Sequence, residues 1–392
     1  MQESDNVVRN YVHKLKFQVK DTLLAARYGF NVRNIWVFWK GIVQAWVVWA
    51  FFAYAGFLAA GDSVADRFAA ARLCPVPDSL FMTNIPSVIL LVLGTLLAFY
   101  IYMITALKVS RLTFEQLRGD QFFSEADARR FCRSNWKAVV ATPLVIAAGI
   151  ATGILAIFVI GLLGRIPSVG PVLAGLLAIP AWILGLFLVL ALVGLLLSVF
   201  LVPVITATTK GDTFECLFEV FSIVTSQPMR LFRGIVTGLF VRVIALVVFS
   251  FFAWGSVTIV SSVLYRTSGI QGFGDTMESG FSRMAPEVVP FYSSIFNPIS
   301  STGHVDSSRD GLAGLLVSLS GAAILLALWA YWLSSGTAQW TIMYLGARYN
   351  RDREDLLLRA EEEEYREFSR LYNSTTTTTT TTTTGGAGRE TE

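Results

Sequence analysis

Few residues in this chain combine the types and spacing that chemistry needs. It holds two histidines, His13 and His304, and three cysteines, Cys74, Cys132 and Cys216. A zinc site needs three or four convergent nitrogen, sulfur or carboxylate ligands. The topology derived below puts the two histidines on opposite sides of a membrane, so no histidine cluster forms. It leaves only Cys74 outside, without a partner, so no disulfide framework is expected. No Cys-x-x-Cys, His-Glu-x-x-His, Gly-x-Ser-x-Gly or phosphate-loop pattern occurs. The chain reads as non-enzymatic, with no cofactor and no metal. What remains are charges in unusual places. Arg242 is the one charge well within an apolar run, about 12 Å from its start at 1.5 Å per residue. An intramembrane charge is a candidate functional site by default, although arginine also snorkels toward headgroups or pairs structurally. Its expected partners are Glu215 and Glu219. Asp120 and Asp212, each inside a Gly-Asp-x-Phe sequence, complete the candidate set.

The elements that must position these residues are read from composition. Of 392 residues, 54% are hydrophobic and 15% charged, and the mean hydropathy is +0.58. Soluble domains are about 45–50% apolar and about 25% charged. The excess lies in uncharged runs long enough to span a bilayer core of roughly 30 Å. Six spans are expected, near Ile35–Ala60, Ser87–Leu107, Ala138–Leu163, Val172–Val202, Gly234–Leu264 and Gly311–Ala347. The fourth, about 46 Å long as one helix, is expected to break at Pro180. Basic residues gather in the leader 1–34, in 108–137, in 210–233 and after Arg348. The positive-inside rule puts these segments in the cytoplasm, with both termini, and puts loops 61–86 and 265–310 outside.

The N-terminus is charged throughout and lacks the short apolar core of a cleavable signal. Leu15, Val19, Leu23 and Leu24 at helical spacing, with Lys16 and Lys20 beside them, suggest a basic amphipathic helix on an anionic membrane surface; a solvated leader fits equally. Residues 348–372 read as a charged cytoplasmic helix, and the Thr/Gly-rich 373–392 as disordered. Setting Gly119 on Gly211 also aligns Asp120 with Asp212, Phe122 with Phe214, Ser134 with Ser226 and Asn135 with Gln227. Two inner helices, near 120–137 and 212–228, would then belong to a parallel internal repeat; chance matching in short segments is the other reading. The first helix is polar. In the second, Glu215, Glu219, Ser222 and Ser226 share one narrow strip, and Phe214, Leu217, Phe218, Phe221 and Val224 fill the opposite face. That helix should be largely buried, at the interface or against the spans.

The stretch Phe214–Gly234 resembles the Phe-x-Ala-x-x-x-Ser-x-x-x-x-x-x-x-Pro inner helix of a loose group of bacterial multi-pass proteins. That group is similar to the membrane domain attached to some glycerophosphodiester phosphodiesterases. Phe214, Pro228 and Arg230 fit the pattern, while Cys216 and Glu219 depart from its usual Ala and Ser. Tyr344–Asp355 resembles the Tyr-Leu-x-x-Arg-x-x-x-Asp close of such proteins. The resemblance spans about residues 90–355 through short motifs. It implies a helical membrane fold and the bacterial inner membrane, and it brings no catalytic residues, because the phosphodiesterase barrel is absent.

Two function classes follow. One is a scaffold or accessory subunit of a membrane complex, contacting lipid and other membrane proteins through its inner helices and tail, with no nucleic acid. The other is a transporter or channel-like permease for a lipid or small solute. The spans show almost no polar residues near mid-depth, which favours the scaffold; the small residues Gly149, Gly153, Gly185, Gly194 and Gly321 then serve close helix packing.

Overall fold

A computed structural model of the chain describes residues 19–65, 75, 84–120, 122–167, 169–268 and 311–360. His13, Cys74, His304, most of loops 61–86 and 265–310 and the tail beyond residue 360 lie outside the described residues. A 3-10 turn at Val19–Leu23 leads into α1 (Leu24–Gly29). Six long helices follow: α2 (Val32–Ala59), α3 (Ile85–Arg118), α4 (Glu125–Leu163), α5 (Gly170–Thr209), α7 (Pro228–Ser268) and α8 (Gly311–Asp352). The shorter α6 (Thr213–Ser226) joins α5 to α7. The six long helices are long and apolar enough to cross a membrane, and no strand occurs among the described residues. The protein is therefore an all-α polytopic membrane protein.

Local chemistry sets the helix ends. Asn31 caps α2, its side chain accepting from the Arg33 N–H at 3.0 Å. Ser124 and Asp127 cap α4 reciprocally, each side chain taking the other's backbone N–H. Asp212 caps α6 through the Glu215 N–H at 2.8 Å.

The two Gly-Asp-x-Phe segments part company here. Gly119 takes the left-handed conformation that ends α3 (φ 93°), whereas Lys210, one residue before the aligned Gly211, does so for α5 (φ 57°). Asp120 ties an exposed turn, accepting from the N–H groups of Phe122 and Phe123 at 2.9 and 3.0 Å. The inner helix expected near 120–137 is not separate from the third span. At its expected end, Asn135 donates back to the Phe131 carbonyl at 2.9 Å and the helix runs on into α4. In α6, Gln227 leaves helical geometry (φ −135°, ψ 48°) and Pro228 follows with no N–H to give, so the helix stops.

The break expected at Pro180 does not occur. α5 continues through both Pro180 and Pro203. An unwound turn facing lipid would strand several polar backbone groups, whereas a proline within a continuous helix strands about one. The charged helix expected from residue 348 is likewise continuous with the last span as far as Asp352; Arg353 (φ 58°) then turns the chain. At the other terminus, residues 19–29 do not form a free-standing leader. Ala25 is fully buried, and the Ser334 hydroxyl of α8 donates to the Gly29 carbonyl at 3.0 Å.

One end of the bundle collects the basic residues and most of the core; it is the basic end below. There α3 contributes Leu107, Phe114 and Leu117, α5 contributes Leu201, Val204 and Ile205, and α8 contributes Tyr344, all at most 1% exposed. Val37, Phe38, Ala106, Val109 and Leu112 pack as a second cluster between α2 and α3. Toward the opposite end the helices diverge. Trp182, Leu186 and Phe187 of α5 and Leu155 and Phe158 of α4 are exposed, as side chains facing lipid tails would be.

Candidate functional site

The polar strip of α6 splits: Glu219 and, in part, Ser222 face the protein, whereas Glu215 and Ser226 are exposed. Of the phenylalanines, Phe214 and Phe218 face out while Phe221 packs on Gly194 of α5. Cys216, Glu219, Val220 and Ile223 are buried, while Phe214 and Phe218 are 65% and 71% exposed. A mostly apolar buried face with Phe214 and Phe218 exposed suits a helix lying at a membrane interface. Glu219, 7% exposed, is gripped by two arginines from the last turns of α8. Arg348 Nη1 lies 2.9 Å from Glu219 Oε2, and Arg351 Nη2 lies 2.9 Å from both carboxylate oxygens. Arg351 Nη1 also donates to Ser222 Oγ at 2.8 Å. Asp352 accepts from Arg351 Nε at 2.9 Å and lies 2.8 Å from Arg348 Nε as an ion pair, and Gln227 Nε2 donates to the Ala347 carbonyl at 3.2 Å. A buried carboxylate requires such partners, and charge-assisted bonds at these distances are the strong kind.

A second Arg–Glu–Arg group closes the basic end of α3. Glu115, 2% exposed, lies between Arg111 and Arg118, with Arg118 Nη1 2.7 Å from Oε2. Arg111 also donates to the Ala207 carbonyl of α5 at 2.8 Å, and its guanidinium sits 4.7 Å from the Phe131 ring of α4. One side chain thus ties three helices together.

Arg242 does not meet Glu215 or Glu219. Glu215 is exposed at the first turn of α6, and Glu219 is taken by α8. Because α7 begins at Pro228, Arg242 lies 14 residues in, about 21 Å along the axis. It faces α8: its guanidinium lies 4.6 Å from the Trp332 ring, and Gly336 leaves room for Nη1. Tyr102 of α3 lies within electrostatic range of it. Its Nε is buried with no hydrogen-bond partner, and no carboxylate pairs with it among the described residues. Asp120 and Asp212 serve as turn and helix caps and do not join either arrangement.

Arg242 belongs to a stripe Gly234-x-x-x-Gly238-x-x-x-Arg242 along which α7 packs on α8. Gly234 meets Met343, Gly238 meets Gln339 and Arg242 meets Gly336, with no Cβ in the way. Gln339, 1% exposed, donates to the Gly234 carbonyl at 3.0 Å. Toward the basic end α8 carries a run of buried polar side chains, Ser334, Ser335, Thr337, Gln339 and Thr341. They are mostly bound to their own helix, as Thr337 is to the Leu333 carbonyl at 2.9 Å and Thr341 to that of Thr337 at 2.9 Å.

Outside the spans, burial pushes the Cys216 thiol up to about 11, and it raises the Asp355 carboxyl above its usual range. In both groups burial works against the charged form. Among the described residues no cluster of histidine, cysteine and carboxylate is arranged to hold a metal ion.

Sequence reasoning passed over Arg348, Arg351, Arg111 and Glu115, treating the arginines only as topology signals. The i, i+3 spacing of Arg348 and Arg351 at a helix end was the available clue to a shared anionic partner. The small-residue spacing of Gly234 and Gly238 was the clue to the α7–α8 seam. No protein-family model, curated protein or solved structure matches the chain.

Proposed function

We propose that this integral membrane protein is a non-enzymatic scaffold or accessory subunit of a membrane complex. The carrying observation is the cross-bracing of the basic end, where Arg348 and Arg351 clamp α6 to α8 and Arg111 joins α3, α4 and α5. A carrier must rearrange around its substrate, and breaking a buried charge pair costs about 3–5 kcal/mol. Such bracing suits a fixed platform. By the positive-inside rule the basic end faces the cytoplasm and carries both termini. We place the protein in the bacterial inner membrane and extend to it the likeness to the multi-pass group noted above, including descent of 119–137 and 211–228 from a parallel repeat. The test is affinity purification of the full chain from native membranes with mass spectrometry. A stoichiometric membrane-protein partner is expected; recovery of the chain alone, together with solute uptake by reconstituted vesicles, would overturn the reading.

The second reading, a transporter or channel-like permease, draws on the buried Ser334–Thr341 polar stretch of α8. Flux through vesicles that Gln339→Leu abolishes, without loss of folded protein, would favour it.

A further inference from the structure

We propose that Arg242 and the groove between α2 and α3 form a binding site for one anionic phospholipid, its phosphate on the guanidinium and an acyl chain along the groove. Three observations lead there. The first is the state of the cation. Arg242 has a ring beneath it and room made for it, but no acceptor among the described residues. Its Nε is a buried donor without a partner, and such an orphan points to a missing ion, water or ligand. An aromatic face supplies part of the stabilisation and leaves the N–H groups unanswered.

The second is level. Gly29 abuts Ser335, and Phe30 packs edge-on against Tyr331, with ring centroids 5.7 Å apart. The neighbouring Gly336 and Trp332 are the residues that hold Arg242. Gly29 and Phe30 directly precede α2, whose first turns carry stacked Trp36 and Trp39, with Lys40 5.5 Å from the Trp36 ring. Tryptophan and lysine of this kind mark the headgroup zone. Although Arg242 is about 21 Å along its own helix, it is level with that zone, where a lipid phosphate resides.

The third is the groove. A cleft of about 260 Å³ is lined by Phe38, Ala45, Trp46, Trp49, Ala98 and Tyr102, among others. From Phe38 to Trp49 it runs about 16 Å along α2, a length an acyl chain fills. Tyr102 links the two features, lining the groove and lying within electrostatic range of Arg242. Leu333, beside Trp332, packs on the Val37 and Phe38 cluster at the groove's basic end. An apolar slot ending near an unpaired cation complements an anionic lipid in both shape and charge. The site is independent of the scaffold reading, which co-purification tests separately.

The full chain is reconstituted in nanodiscs of phosphatidylcholine with phosphatidylglycerol, released into mild detergent, and its retained lipid is read by native mass spectrometry. One phosphatidylglycerol per chain is expected. Arg242→Gln should lower the preference for phosphatidylglycerol over phosphatidylcholine roughly fivefold to tenfold, the scale of one cation at a lipid surface. Ala98→Phe, which plugs the groove without touching Arg242, should lose the bound lipid and keep its thermal unfolding within a few degrees. It serves as the test should Arg242→Gln fail to fold. Equal retention of the two lipids by the wild type would overturn the site. So would unchanged selectivity in Arg242→Gln, or selectivity lost only on Arg130→Gln and Arg133→Gln, which would move binding to the exposed stripe of α4. Stabilisation of the lipid-free protein by inorganic phosphate, with Ala98→Phe still holding phosphatidylglycerol, would reduce it to an anion site without a chain groove.

Discussion

The segments that begin at Gly119 and Gly211 share a motif and a spacing, yet only the second becomes a separate helix. In the first, Asp120 closes a turn, Ser124 starts the helix and nothing stops it for 39 residues. In the second, Asp212 starts the helix and Pro228 ends it after 14 residues. The second also carries Glu219 where α8 can reach it, whereas the first shows the solvent or headgroups Arg130 and Arg133. A short shared signature therefore specifies a start. What the chain does next depends on the residue at the far end and on which long helix passes over it.

That contrast can be broken at its strongest point. Replacing Glu219 with alanine removes the shared anion between α6 and α8 and leaves Arg348 and Arg351 only Asp352 and Glu354. It should destabilise the protein by about 3 kcal/mol, read as thermal unfolding in detergent. Replacing Glu125, which holds Lys40 at 2.7 Å near the start of the first segment, should cost no more than about 1 kcal/mol because that pair is more exposed. Equal losses would mean the two segments are held alike. Next, the stop can be transplanted. Pro228 aligns with Trp136, so Trp136→Pro should interrupt α4 and cost about 3 kcal/mol or more. Trp136→Ala is the control, since it removes the side chain and its edge-on contact with Tyr100 at 6.1 Å while keeping the backbone N–H. If both variants behave alike, the proline is not what separates the segments.

Much of this was legible beforehand, and the misses have physical causes. The spans follow from apolar runs that no soluble core demands, and the caps at Ser124 and Asp212 from short side chains placed before helix-forming sequence. The Pro180 break failed because a proline weighs less in lipid than the unwound turn that would relieve it. The pairing of Arg242 with Glu219 failed for another reason. A helical wheel says which residues share a face, and cannot say which of five other helices that face meets. The partner came from residues 348–351, whose arginines already had an adequate explanation as topology markers.

Smaller effects sharpen the comparison further. Asp212→Ala removes a helix cap and should cost about 1 kcal/mol. Asp120→Ala loosens an exposed turn and should stay within about 0.5 kcal/mol. The smallest effect lies in alkali. The folded Cys216 thiol titrates at about 11, above its ordinary 9.0, because it is buried. The unfolded chain thus ionises first. The thiol's contribution is constant below about pH 9 and declines as pH rises through about 11. Wild type and Cys216→Ala should diverge only in that window, and a maleimide at neutral pH should leave Cys216 unlabelled until the protein unfolds.

The clamp on Glu219 has a temporal consequence. Glu219 and Arg348 are 129 residues apart in the chain. At roughly 5–20 residues per second of synthesis, α6 waits on the order of ten seconds at the membrane with an unpaired carboxylate before α8 emerges. During that interval Phe214 and Phe218 hold it at the interface while Glu219 has no arginine to bind. Integration of the six spans is therefore completed by α8, and a chain truncated just short of Arg348 would carry its spans and still present an unfinished surface to quality-control proteases.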